Sequence, residues 1–295
     1  MDLLRSIEGI RTPFFDSFFG IITRLGEQTI LIVIFCLLFW CINKRMAYIM
    51  GFVFFMSSLA VQGLKIIFRV PRPWVYDPTF VPVNEALVEA TGYAFPSGHT
   101  QNAAAYLGVM GALFKHKALK IIFFTLPVLV AFSRMYLGVH YLSDVVVSLV
   151  ITFVIIFFAI KIFTDEPVDK KRELLLALFI IAVSIIVIIV VAVLYHRDIT
   201  TPSQLRDASR AAAAAIAFAI GMYVEKVYIN FSVKTRNILW QIIKYVIGLG
   251  ITLGVMEGAR ILGSGLIADG FRYFLVVIWI MLVYPLIIKR FFEIK

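Results

Sequence analysis

Nine apolar stretches follow one another along the chain, at residues 20–42, 46–68, 98–115, 118–137, 140–163, 172–195, 208–224, 238–257 and 271–291. At 1.5 Å per residue each is close to the length that crosses about 30 Å of hydrocarbon. The pattern predicts an all-α protein, a polytopic transmembrane helical bundle of about nine spans. One segment breaks the rhythm. Pro71, Pro73, Pro78, Pro82 and Pro96 argue against a single long helix over 70–97, and Trp74, Tyr76 and Tyr93 are suited to a membrane interface, so this segment is expected to form a lid.

Composition strengthens the membrane reading. The chain has 295 residues, is 61% hydrophobic and has a mean hydropathy of +0.95, too apolar for an ordinary soluble domain. A net charge of +10 would suit nucleic acid, but the basic residues sit in short clusters between apolar runs, as topology signals do, so no nucleic-acid partner is expected. Segments after odd-numbered spans carry fifteen Lys and Arg, among them Lys44, Arg45, Lys115, Lys170 and Lys226, against eight on the opposite side. Lys65, Arg69, Arg72, Arg134 and Lys244 are set apart from this comparison. The asymmetry predicts a cytoplasmic C-terminus. The end of the second span, the 70–97 segment and the turn near 135–139 then face outward. Cys36 and Cys41 share the first apolar run and are expected to be packing residues, not a disulfide framework or metal cluster. Met1 to Asp16 is interrupted by charges and Pro13, and no cleavable signal is expected there.

Chemistry concentrates in Ser133 to Asp144, SRMYLGVHYLSD, where Arg134, His140 and Asp144 fall within twelve residues of membrane-grade sequence. Ionisable groups are costly in such surroundings. If the chain is helical from Val139, His140 and Asp144 stand at i and i+4 on one face. The carboxylate can then hold one ring nitrogen and leave the other to attack. Taken alone, the pair reads equally well as a satisfied polar contact inside a bundle. Arg134, across a turn marked by Gly138, offers a planar fork of donors suited to phosphate or carboxylate.

Two further clusters lie on the same predicted side. Lys65 and Arg72 stand at the outer end of the second span, placed either to meet an anion or to snorkel to headgroups, and Arg69 suits snorkelling best. In Pro96, Ser97, Gly98 and His99, the proline can open a helix whose first N–H groups hold an oxyanion. Taken singly, His99 is more often a hydrogen-bonded core residue than a catalyst. Together the clusters bring cations, two histidines, a carboxylate and a helix end to one place.

These residues resemble the type 2 phosphatidic acid phosphatase superfamily, whose signature is Lys-x6-Arg-Pro, Pro-Ser-Gly-His and Ser-Arg-x5-His-x3-Asp. Lys65 to Pro73, Pro96 to His99, and Ser133, Arg134, His140 and Asp144 match in order and spacing. The likeness covers roughly 40–165. It implies that His140 is a nucleophile forming a phosphohistidine, that Asp144 orients it and that His99 protonates the leaving oxygen. It also implies that Lys65, Arg72, Ser97, Gly98 and Arg134 hold the phosphate oxygens. Cations and helix ends would then stabilise the transferring group without a metal or other cofactor. Residues 1–165 are thus expected to be a six-helix-type lipid phosphatase core, with 166–295 as additional helices. The expected substrate is a polyprenyl pyrophosphate, phosphatidate, phosphatidylglycerol phosphate or sphingoid-base phosphate. A lipid phosphotransferase and a lipid headgroup-binding or transport protein are the alternatives.

Other polar residues read as local features. His116 and His196 belong to loops, and Glu257 and Arg260 form a helical i, i+3 pair. Ala211–Ala215 and Gly250, Gly254 and Gly258 are small-residue faces, expected to pack on each other, with a homodimer seam as the alternative.

Overall fold

The structure is a computed structural model describing residues 1–87, 90–164, 167–258, 261, 263 and 265–293. Its helices are α1 (Asp2–Glu8), α2 (Pro13–Arg24), α3 (Gln28–Leu37), α4 (Lys44–Phe68), α5 (Pro73–Tyr76), α6 (Asn84–Leu87) and α7 (Gly98–Leu113). After these come α8 (Lys117–Tyr136), α9 (Leu142–Ile162), α10 (Lys170–His196), α11 (Pro202–Val224), α12 (Ile238–Gly258), α13 (Leu266–Ile278) and α14 (Tyr284–Phe291). Short π-helical turns at Leu38–Ile42, Glu225–Ile229 and Trp279–Val283 extend α3, α11 and α13.

Local chemistry explains several starts. Thr12 caps α2 ahead of Pro13, Asp169 caps α10, and Thr201 with Gln204 forms a capping box ahead of Pro202 at the start of α11. Among the described residues, seven helices are long and apolar enough to cross a membrane, and an eighth crossing arises if α2 and the α3 segment, bent by 45°, act as one broken span. α7 has only 16 residues and carries buried Gln101 and Asn102, which is why it falls short by length and composition. It nevertheless packs along α8 as the outgoing half of a hairpin. Lipid is the natural neighbour of the exposed Phe157 and Phe158 of α9 and Phe179, Ile186 and Ile189 of α10.

The described chain forms two compact units, one of residues 1–32 and 60–161 and one of 33–59 and 162–295, so α4 contributes to both. In the first, Leu4 and Ile7 of α1, Phe80, and Met135, Tyr136, Leu137 and Val139 around the end of α8 share one core. The 70–97 segment is tied down rather than loose. Arg5 pairs with Asp77 at 2.7 Å, Glu8 accepts from Val81 N at 3.0 Å, Val83 N donates to Leu137 O, and Ala94 N to Val70 O. Arg69 is exposed.

In the second unit α11 packs between α10 and α13. Here the expected pairing of the small-residue faces is corrected: a Cβ at Gly250, Gly254 or Gly258 would meet nothing within 4 Å, whereas one at Gly270 of α13 would lie 3.7 Å from Ala213 Cβ. The close approach on α11 belongs to Gly270, and to Gly221 beneath Met281, because those glycines face a neighbouring helix. Lys44 and Lys226, read in sequence as topology signals, are half-buried and also carry ion pairs. Lys44 pairs with the fully buried Glu225 at 2.7 Å, and Lys226 with Glu173 at 2.6 Å. Breaking one such pair by removing a single partner typically costs about 3–5 kcal/mol. Cys36 and Cys41 are free thiols, and His116 and His196 are exposed. The Glu257–Arg260 pairing involves Arg260, which lies outside the described residues.

Candidate active site

Lys65, Arg72, Ser97, Gly98, His99, Arg134, His140 and Asp144 all fall in the first unit, at the ends of four helices. The order of construction starts at the α8–α9 turn. Gly138 takes φ +79°, a left-handed conformation that glycine adopts without strain, and a Cβ there would lie 2.8 Å from the Phe80 ring. The turn is closed by Val139 N donating to Arg134 O at 3.1 Å.

His140 follows this turn, and the expected helical pairing with Asp144 needs correction. The helix begins at Leu142, not at Val139, so His140 stands ahead of it. The contact is made by helix-start geometry instead: Asp144 Oδ2 accepts from Tyr141 N at 2.8 Å, reaching back across the first turn as a third-position acid does in a capping box. The same oxygen lies 3.2 Å from His140 Nδ1, and Ser143 Oγ donates to the other carboxylate oxygen at 3.2 Å. His140 is 2% exposed and Asp144 fully buried. With the proton on Nδ1 and aimed at the carboxylate, the lone pair of the imidazole sits on Nε2.

Arg72 Nη1 lies 2.9 Å from that Nε2 and donates to Val139 O at 2.8 Å. Its Nη2 donates to Thr91 O at 2.8 Å and its Nε to Gly92 O at 3.1 Å, while Lys65 Nζ donates to Tyr93 O at 2.6 Å. Three successive carbonyls, 91 to 93, therefore hold both cations, a function the sequence pattern did not indicate. Gly92, at φ +60°, is the one feature of this stretch that marks a special backbone.

Ser97 caps α7: its hydroxyl accepts from Thr100 N at 3.4 Å and from Thr100 Oγ1 at 3.1 Å. Its N–H donates to Asp144 O at 3.1 Å and its carbonyl accepts from Ser148 Oγ at 2.9 Å, which joins α7 to α9. The Ser97 amide is thus engaged by protein, whereas at Gly98 an added Cβ would meet nothing within 4 Å, so the backbone of the first turn is open to close approach there. His99 is half-buried on the first turn. Arg134 is 1% exposed and its Nη1 donates to Thr23 Oγ1 at 2.9 Å, whereas Ser133 Oγ donates back to Val130 O and faces its own helix.

Burial first, then the charges of Arg72, Arg134, Lys65 and His99, hold the His140 imidazole well below the ordinary histidine range. The group is consequently a neutral base at pH 7. The arrangement sets one unprotonated nitrogen against the Arg72 guanidinium, within the electrostatic reach of Lys65 and Arg134, which suits attack on an anionic, tetrahedral centre. Among the described residues no group of three or more His, Cys, Asp or Glu gathers in metal-binding fashion.

The family description "PAP2 superfamily" matches residues 46–167, and "PAP2 superfamily phosphatase, transmembrane extension" matches 209–293. The chain is 31% identical over 176 residues to phosphatidylglycerophosphatase B of Bacillus subtilis (strain 168), covering 56% of this chain and 82% of that protein. It is 26% identical over 171 residues to lipid A 4'-phosphatase of Porphyromonas gingivalis, covering 55% and 72%. The crystal structure of Aquifex aeolicus LpxE aligns at 26% identity with a TM-score of 0.48, over 54% of this chain and 93% of that one.

Proposed function

Because this chain belongs to the PAP2 superfamily, we propose that it hydrolyses a phosphomonoester or pyrophosphate of a lipid, without a resident metal, through a phosphohistidine at an outward-facing site. The observation that carries this reading is His140, fixed by Asp144 on Nδ1 and met by Arg72 at Nε2. Nε2 attacks phosphorus and the bond to the lipid oxygen breaks. His99 gives that oxygen its proton. Water then attacks the phosphohistidine, the bond from Nε2 to phosphorus breaks and inorganic phosphate is released, with the water's proton passing to solvent, from which His99 is reprotonated. Lys65, Arg72, Arg134 and the start of α7 with Ser97 and Gly98 stabilise the charge on the transferring group, and phosphoryl transfer depends mainly on such positioning and electrostatics.

The related proteins are named for phosphatidylglycerophosphate, lipid A and sphingosine 1-phosphate, each a phosphate carried on a lipid. That range supports a lipid phosphate as substrate and leaves the four expected classes in contention. The catalytic work is assigned to residues 1–165, and 166–295 supply further membrane helices. The excess of Lys and Arg on the opposite side supports an extracytoplasmic site.

Phosphate release by the purified full chain against polyprenyl pyrophosphate, phosphatidate, phosphatidylglycerol phosphate and sphingoid-base phosphate tests the reading. Release from at least one, lost in His140→Ala, is expected. Turnover that requires an added lipid acceptor and yields no free phosphate would instead identify a phosphotransferase, and headgroup binding without turnover a binding protein.

A further inference from the structure

The bend between α2 and α3 is an ordered corner, closed by Leu25 N to Ile22 O, Gly26 N to Thr23 O and Glu27 N to Arg24 O, at 3.1, 2.8 and 2.9 Å. It lies ahead of the three spaced motifs, yet it touches two of the residues they contain. Thr23, 8% exposed, accepts the Nη1 proton of Arg134 on its hydroxyl at 2.9 Å. Gly26 faces the first turn of α7 so closely that a Cβ there would lie 2.7 Å from His99 O and 2.8 Å from His99 Cβ. Asn102 Nδ2 donates to Gly26 O at 2.9 Å and Tyr106 OH to Leu25 O at 2.8 Å. Residues 99, 102 and 106 lie along one face of α7, so that face rests on the corner at three levels.

We propose that Thr23 and Gly26 are positioning residues of the phosphate site, Thr23 aiming the guanidinium of Arg134 and Gly26 setting the place of His99. The inference rests on reading Arg134 as a phosphate ligand and His99 as the general acid. An arginine side chain has many rotamers, and a buried acceptor on one nitrogen selects the orientation in which the remaining donors face the site. At Gly26 the selection is steric. Any side chain pushes against the backbone of His99 itself, and backbone gives way less readily than a side-chain tip.

The two positions predict different kinetic signatures, which a general loosening of the fold would not produce. In the full chain, Thr23→Val keeps the branched shape and removes the acceptor. It should raise KM for an alkyl phosphate lipid and for nitrophenyl phosphate alike, and weaken inhibition by inorganic phosphate, by about 10-fold, the scale of one hydrogen bond to a charged group. Thr23→Ser should restore both. Gly26→Ala should lower kcat for the alkyl phosphate by about 10-fold or more, as partial loss of a general acid does, and largely spare nitrophenyl phosphate. Equal losses in Thr23→Val and Thr23→Ser, or equal losses on both substrates in Gly26→Ala, overturn the inference. If Gly26→Ala does not fold, the Thr23 pair decides by itself. Arg134→Ala separates the two levels: unchanged phosphate inhibition there defeats the phosphate-ligand reading, whereas loss there with unchanged Thr23→Val defeats only the role of the corner.

Discussion

Arg72 donates to His140 across 2.9 Å from Nη1 to Nε2, and the same nitrogen also holds Val139 O at 2.8 Å. The nitrogen read as the nucleophile is therefore hydrogen-bonded to a group read as a phosphate ligand, and an incoming phosphate oxygen competes with the histidine for that donor. This geometry depends on a planar fork spanning Thr91, Gly92 and Val139, which an ammonium cannot reproduce. Arg72→Lys should therefore lower kcat/KM by about 10- to 100-fold, the scale of one or two hydrogen bonds to a charged group. Phosphate-release kinetics with near wild-type values would show that charge alone suffices.

The two histidines are separable by leaving group. An alkyl alcohol departs as a strongly basic alkoxide unless protonated, so His99→Ala should slow an alkyl phosphate lipid by about 10²- to 10⁴-fold while largely sparing nitrophenyl phosphate. His140→Ala should abolish both reactions, and Asp144→Asn should weaken both, because the carboxylate sets the tautomer. Equal loss on both substrates in His99→Ala, or retained nitrophenyl activity in His140→Ala, would reverse the assignment.

The pH profile follows from the lowered affinity of His140 for protons. Burial and then Arg72, Arg134 and Lys65 disfavour the imidazolium, so the acid limb of kcat/KM should lie below the ordinary histidine value of about 6.5. Lys65→Gln removes one cation and should move that limb upward. The sign for stability is the corresponding one: below about pH 6.5 the unfolded chain takes up a proton that the fold refuses, so this group lowers stability as pH falls toward its depressed value. A limb at or above 6.5 in the unsubstituted protein would contradict the electrostatic account.

Orientation is open to labelling. Asn84 is exposed in the segment between α4 and α7. A cysteine there should react with an impermeant reagent on intact cells, and a reporter fused after Lys295, itself outside the described residues, should be cytoplasmic. Reaction at 84 only after permeabilisation would place the site inside.

Helix pairing in the second unit has a covalent test. The 3.7 Å between Ala213 Cβ and a Cβ built at Gly270 is close to the separation across a disulfide. Cysteines at 213 and 270 should cross-link within one chain under mild oxidation, and cysteines at 213 and 254 should not. The opposite result would return α12 to the place the alanine and glycine spacing first suggested.

Hydropathy and spacing determined that the chain is helical and membrane-spanning, and located Lys65, Arg72, Ser97, Gly98, His99, Arg134, His140 and Asp144, because apolar run length and short motifs are local properties. Their assembly was also foreshadowed, since the clusters sit at ends of neighbouring spans. The rest depended on groups far apart in sequence. Thr23 meets Arg134 and Lys44 meets Glu225 at separations of 111 and 181 residues, and a periodic pattern contains no term for such contacts. Even within twelve residues the mechanism of contact changed: His140 and Asp144 meet because the carboxylate reaches back to the start of α9, not because both belong to one helical face. The small-residue faces failed for a related reason. Glycine spacing shows where another helix is able to approach, but which helix arrives is set by packing, which brought Gly270 to Ala213 and left Gly254 unfilled.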